Sequence, residues 1–196
     1  MPEAPRATID TPRLRLRASA PELAAAALDY EQRNRDHFAR WNPPPAQGLF
    51  TLAFHQKAMA DDVESFAAGR EWRWWVQLHA PAEAARLIGT VRFSQVSRGA
   101  FCSAMLGYSI DAEHEARGLM HEALAAAIAE VFSPAVNLHR IQANVRPENA
   151  RSLKLLDALG FVHEGLAREY LYIDGAWRDH LMTARTNANY IKPDGW

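Results

Sequence analysis

The sequence predicts a single α+β domain built on a mostly antiparallel central sheet of about seven strands flanked by helices. Three runs rich in aromatic or β-branched residues, Trp72–His79, Leu87–Phe93 and Phe101–Ile110, follow one another with no helical pattern between them, so consecutive antiparallel strands are the economical reading. Helical and strand patterns then alternate, and the chain closes on two strand patterns joined by Asp174-Gly175, a strong hairpin signal. No repeat, low-complexity linker or break in composition divides the 196 residues, a length that suits one domain able to bury its core without a metal or disulfide.

The elements follow in order. Leu14-Arg-Leu-Arg17 alternates apolar and basic side chains, the pattern of a strand with one wet face. Pro21 to Arg40 is Ala-rich, with Ser19 as a candidate cap and Pro21 at an early helical position; it reads as a helix or helix pair that stops at Trp41-Asn-Pro-Pro-Pro45. Leu49 to Gly69 spaces Leu52, Met59, Val63 and Phe66 at helical intervals, with Gly69 as the stop. After the three strand patterns, separated by Pro81 and by Arg98-Gly99, come a helix over 117–132, a strand over 138–145 and a helix over 149–159. The final strands span 167–173 and 177–184. Trp72, Trp74 and Trp75 put aromatic rings on both faces of one strand, which predicts burial on both sides.

Composition narrows the function. Twenty-two basic residues against 23 acidic ones give a net charge of −1 with no basic stripe, so direct nucleic-acid binding is not expected. A lone cysteine, Cys102, excludes a disulfide framework and a Cys-rich zinc site and suits a reducing compartment. The eight histidines show no ligand spacing, so no metal is expected; His114 and His121 read as surface residues. No stretch reaches the roughly 18 apolar residues of a membrane span, and the first residues lack a signal-peptide pattern, so the expectation is a soluble cytoplasmic protein with no membrane partner.

Two segments carry the chemistry. Leu106-Gly-Tyr-Ser-Ile110 runs through a bend with Arg117 and Gly118 into the helix Leu119-Met-His-Glu-Ala-Leu124. The first N–H groups of a helix lack partners and its dipole is positive there, so this turn is either an anion site or a plain bend with a solvated arginine. The second segment runs from Asn144 to Gly165, with Asn149 as a helix cap, Leu153, Leu156 and Leu159 as a buried stripe, and Gly160 as the stop.

An Asn149-x-x-Ser152-x-x-x-Leu156-x-x-x-Gly160-Phe161 run, one strand after that strand, bend and helix, resembles the acetyl-CoA-dependent N-acetyltransferases of the GNAT superfamily. The resemblance spans about residues 11–185. It is greatest to the RimJ and RimL type, which acetylates N-terminal amines of ribosomal proteins, through His139-Arg-Ile141 and Tyr170-Leu171…Ile173-Asp-Gly-Ala-Trp177-Arg-Asp-His180. It implies a sheet splayed between the fourth and fifth predicted strands, acetyl-CoA as co-substrate, and no metal. The pantetheine arm would pair with the backbone of Tyr108 and Ile110. The pyrophosphate would rest on the amides of Arg117, Gly118, Leu119 and Met120, with Asn149 and Ser152 bordering the thioester. The amide near Ile110 would hold the oxyanion and Ser152 would protonate sulfur; the alternative for Ser152 is a hydroxyl bonded to its own helix backbone. Trp41 and Tyr170 would wall the acceptor groove, with a core anchor as the alternative for Trp41.

This chain departs from the family at three positions. Glu115 sets a carboxylate beside a pyrophosphate, so it is expected to point to solvent. Ala116 stands where glycine is common, so the loop must avoid positive φ or carry strain. Leu171 stands where RimL-type enzymes place a glutamate base. Glu169 falls on the same face by period-two alternation and is either a substitute base or a solvated strand residue. Three functions follow from these residues: acetyl transfer to a protein N-terminus, acetyl transfer to a small amine such as an antibiotic or amino acid, or a non-catalytic CoA-binding or ribosome-associated protein. Either a monomer or a homodimer fits.

Overall fold

In the computed structural model, which describes residues 3–80, 85–193 and 195, the strands form one eight-stranded sheet. They are β1 (Thr8–Asp10), β2 (Leu14–Ala18), β3 (Trp72–Leu78), β4 (Leu87–Ser97), β5 (Ser103–Ile110), β6 (Arg140–Val145), β7 (Val162–Ile173) and β8 (Ala176–Thr186), in the spatial order 1-2-3-4-5-6-8-7. Only β5 and β6 run parallel. The five α-helices among the described residues are α1 (Ala24–Arg33), α2 (Arg35–Ala39), α3 (Leu52–Ala67), α4 (Leu119–Val131) and α5 (Ala150–Ala158). Among the described residues no helix is long and apolar enough to cross a membrane.

The two sheet faces hold separate cores. Trp72 and Trp74 join α4 and α5 residues such as Leu124, Ile128 and Leu156 on one face. Trp75, one residue on, points the other way into Tyr30, Phe38 and Met59 from α1, α2 and α3. All three indoles are buried, as their flanking pattern predicts. The last two strands meet at Asp174 and Gly175, both at positive φ, the conformation of a type I′ hairpin turn.

Several boundaries differ from expectation for local reasons. The sheet has one strand more than the seven expected, because β1 is only three residues long and carries no readable periodicity. Ser19 does not cap a helix; its hydroxyl donates to Asp62 (2.6 Å) and accepts from the Trp75 indole (3.0 Å). The 21–40 helix breaks at Asn34, whose carboxamide donates to the Tyr30 carbonyl (2.9 Å) and accepts from the Ala112 N–H (3.0 Å). In α3 the buried positions are His55 and Met59, whereas Leu52 and Val63 are exposed. Pro81, read as a separator, lies outside the described residues.

Candidate active site

The sheet opens between β5 and β6. Ser103, Ala104 and Met105 pair with Arg140, Ile141 and Gln142, and the pairing between these strands stops there. Beyond that point β5 stays with β4 and β6 stays with β8. The Asp111 N–H is given to the Ile88 carbonyl (2.8 Å), so antiparallel alternation turns the N–H and C=O of Tyr108 and Ile110 away from β4 and into the wedge. This is the splay that the resemblance implies, and it leaves a strip of β backbone able to pair with an extended ligand.

The wedge leads to the start of α4. Gly118 is the cap residue at φ 72°, a left-handed conformation that costs glycine little, and no side chain caps the helix. The amides of the first turn therefore face a cavity of about 760 Å³, lined among others by Tyr108, Ile110, Arg117, Gly118, Leu119 and Met120. Arg13 braces this turn: its Nη1 donates to the Arg117 carbonyl (3.0 Å) and its Nε to Glu122 (2.6 Å). Nothing in the sequence pattern singled out Arg13, because its partners lie more than a hundred positions away.

Ala116 has φ 58°, so the loop carries the strain that the missing glycine would relieve. Glu115 does not point freely to solvent as expected. It is ion-paired with Arg151 of α5, which opposes its charge, and lies 3.3 Å from the His37 ring of α2. His114 is buried rather than at the surface, 3.8 Å from the Asp111 carboxylate, whereas His121 is exposed.

Asp111, only 1% exposed, anchors the bend. Burial pushes its carboxyl up, but hydrogen bonds from Arg33 (2.8 Å) and the Glu113 N–H (3.2 Å), with Arg86 at 3.2 Å, outweigh this and hold it below the usual carboxylate range. Asp111, Glu113 and His114 are close enough to hold a cation, yet Asp111 already serves two guanidiniums.

At the far end of the wedge Asn149 caps α5 by accepting from the Ser152 N–H (3.1 Å). Ser152 and Asn149 line both the large cavity and an adjoining one of about 210 Å³ that also receives Trp41, Tyr108, Asn144 and His180. Burial pushes the Tyr108 hydroxyl up to about 12, against an opposing contact with Ser152, and no hydrogen bond of good geometry reaches it among the described residues. Trp41 is half-buried at the junction of the cavities, between the guanidiniums of Arg40 and Arg146. Tyr170 accepts from the Asn144 carboxamide (2.8 Å) and packs on the His180 ring.

Glu169 lies elsewhere. A bulge sets Arg168, Glu169 and Tyr170 opposite Asp179, which breaks the alternation expected to put Glu169 with Leu171. Glu169 has φ 48°, is exposed and lines neither cavity.

An open strand edge running onto an uncapped helix start is a geometry able to pair with an extended ligand and to hold an anion at its end. Residues 13–162 match the GNAT acetyltransferase domain, and the chain belongs to that family as an N-acetyltransferase. It is 37% identical over 186 residues to the [ribosomal protein uS5]-alanine N-acetyltransferase of Escherichia coli K12, covering 95% of this chain and 94% of that protein. The fold is similar to the ribosomal-protein-S5-alanine acetyltransferase of Vibrio fischeri, with a TM-score of 0.90, 34% identity, and coverage of 96% of this chain and 100% of that one. It is also similar to Mycobacterium smegmatis RimJ in complex with CoA-disulfide, with a TM-score of 0.81, 31% identity, and coverage of 88% and 81%.

Proposed function

We propose that this N-acetyltransferase moves the acetyl group of acetyl-CoA onto the N-terminal amine of a protein, with a ribosomal protein as the acceptor, in the cytoplasm. The observation that carries the reading is the continuity of the β5–β6 wedge with the uncapped start of α4 in one cavity. Relatives matched over nearly their whole length act on a ribosomal-protein alanine, and a bound CoA-disulfide in a structural relative supports the donor.

In this reading the pantetheine arm pairs with the main chain of Tyr108 and Ile110. The pyrophosphate accepts from the amides of Arg117, Gly118, Leu119 and Met120, with the Arg117 guanidinium adding charge. Asn149 and Ser152 border the thioester. The acceptor enters past Trp41 and Tyr170.

No nucleophilic side chain is needed, because the amine itself attacks the thioester carbonyl. An α-amine titrates at about 7.7–8.0 and a thiol at about 8.5, so each proton transfer is nearly balanced at neutral pH and positioning supplies most of the acceleration. The Ile110 N–H, turned into the wedge, stabilises the oxyanion, and the Ser152 hydroxyl gives its proton to the departing sulfur.

Incubation of the protein with acetyl-CoA and a peptide bearing the N-terminal sequence of ribosomal protein uS5 tests this, read by mass spectrometry. The expected product carries one acetyl group on its α-amine. A peptide left unmodified while a small primary amine is acetylated would reject the protein acceptor.

A further inference from the structure

The wedge has one acid candidate in Ser152, while the family's glutamate position is held by Leu171 and Glu169 stands outside both cavities. The smaller cavity supplies another group. His180 on β8 is 3% exposed and lines it together with Tyr108, Asn144 and Ser152.

The tautomer follows from the partner. His180 Nδ1 lies 3.0 Å from the Arg178 carbonyl, which only accepts, so Nδ1 carries the hydrogen and the neutral ring keeps its lone pair on Nε2. No hydrogen bond to Nε2 is present among the described residues. Packing of the Tyr170 ring, 5.3 Å away, holds the imidazole in this orientation. Asn144 adds a second acceptor: its amide nitrogen donates to the Tyr170 hydroxyl, while its Oδ1 is buried with no partner among the described residues. Arg146 borders the same cavity, but its Nη1 is occupied by the Arg40 carbonyl (2.8 Å) and its Nε faces Glu148.

A lone-pair nitrogen and an unpaired carbonyl oxygen in one small cavity call for a ligand rich in N–H donors, and a primary ammonium is such a ligand. We infer that His180 is the general base of the transfer, with Asn144 Oδ1 orienting the acceptor amine. This rests on the acetyl-transfer reading above.

The protons and electrons balance as follows. His180 Nε2 takes one proton from the acceptor ammonium and later passes it to solvent. The freed nitrogen lone pair forms the C–N bond to the acetyl carbon, and the C–S bond breaks with its electron pair on sulfur. The second proton, lost from nitrogen once the C–N bond has formed, returns to the Ser152 oxygen, which has given its own proton to the thiolate. The titratable and charged groups around His180 are Tyr108 from β5 and Arg146, which follows β6, both lining its cavity, and Tyr170 from β7, which packs on its ring.

Two variants separate chemistry from support. His180→Asn keeps an amide N–H where Nδ1 donates to Arg178, and His180→Gln keeps a polar atom near Nε2; neither accepts a proton. At saturating acetyl-CoA and about pH 7, both are expected to lose about 10²-fold in kcat, the usual worth of a positioned base, with the KM for acetyl-CoA unchanged. The deficit should shrink above about pH 8, where an α-amine loses its proton unaided. Rescue by Asn, or a deficit that stays constant with pH, would overturn the assignment. Wild-type turnover of the peptide judges the acceptor reading by itself; the variant ratio, taken on whichever primary amine the wild type acetylates, judges His180.

Discussion

Ala116 and Gly118 show how a backbone angle shapes this site. Both sit at positive φ beside the start of α4, yet only one of them is a glycine. Ala116→Gly should therefore stabilise the protein by about 1 kcal/mol, since a left-handed alanine costs about that much, and urea unfolding would register it as a higher midpoint at unchanged slope. An unchanged or lower midpoint would show that the loop bears no such strain. Glu169→Gln is expected to leave kcat/KM unaltered across pH, because the carboxylate is exposed on the β7 bulge; a loss confined to low pH would restore it as a base. At this scale the sequence disclosed what depends on near neighbours: the Asn149 cap, the choice at Ala116 between strain and an avoided positive φ, the hairpin at Asp174-Gly175. It hid what depends on distant ones. Glu115 is paired with Arg151 and lies beside His37, His114 is drawn inward beside Asp111, and His180 acquires its cavity only when β5, β6, α5 and β8 converge.

Among the elements, β5 and α4 do most to build the site. One offers main-chain groups left over when a parallel neighbour departs, and the other offers amides left over because a helix must begin somewhere. Helix α5 closes the wedge, and its position depends on the Asn149 cap, so Asn149→Ala should cost about 1 kcal/mol of stability and raise the KM for acetyl-CoA. Denaturation and steady-state kinetics check the two effects separately; a stability loss with an unaltered KM would leave Asn149 a purely structural cap. Element identities were readable wherever periodicity ran long enough, as in β3 to β5 and α4. Periodicity fails for β1, which is too short, and across β7, where a bulge resets the alternation. The break between α1 and α2 is legible only once Asn34 is seen bonded to Ala112 on the far side of the fold.

For the molecule as a whole, the Asp111 cluster joins the end of α1 to the bend after β5 and so ties the helical layer to the site. Its carboxyl is held below its unfolded value, so the stability it contributes is present above about pH 4 and is lost as pH falls through the depressed value. Asp111→Asn, which leaves Arg33 without its buried partner, is expected to cost about 3 kcal/mol near neutral pH, and the gap from wild type should close in acid. Urea unfolding at neutral and acid pH measures this, and a gap independent of pH would contradict it. Mostly antiparallel architecture followed from the order of strand patterns alone, whereas the place where the sheet parts came only through family likeness, since no periodicity marks where two strands stop pairing. That parting is what the whole account rests on, and calorimetric titration of the wild-type protein with acetyl-CoA tests it most directly. Saturable one-site binding with a Kd of about micromolar order is expected, and binding no tighter than about millimolar would contradict it.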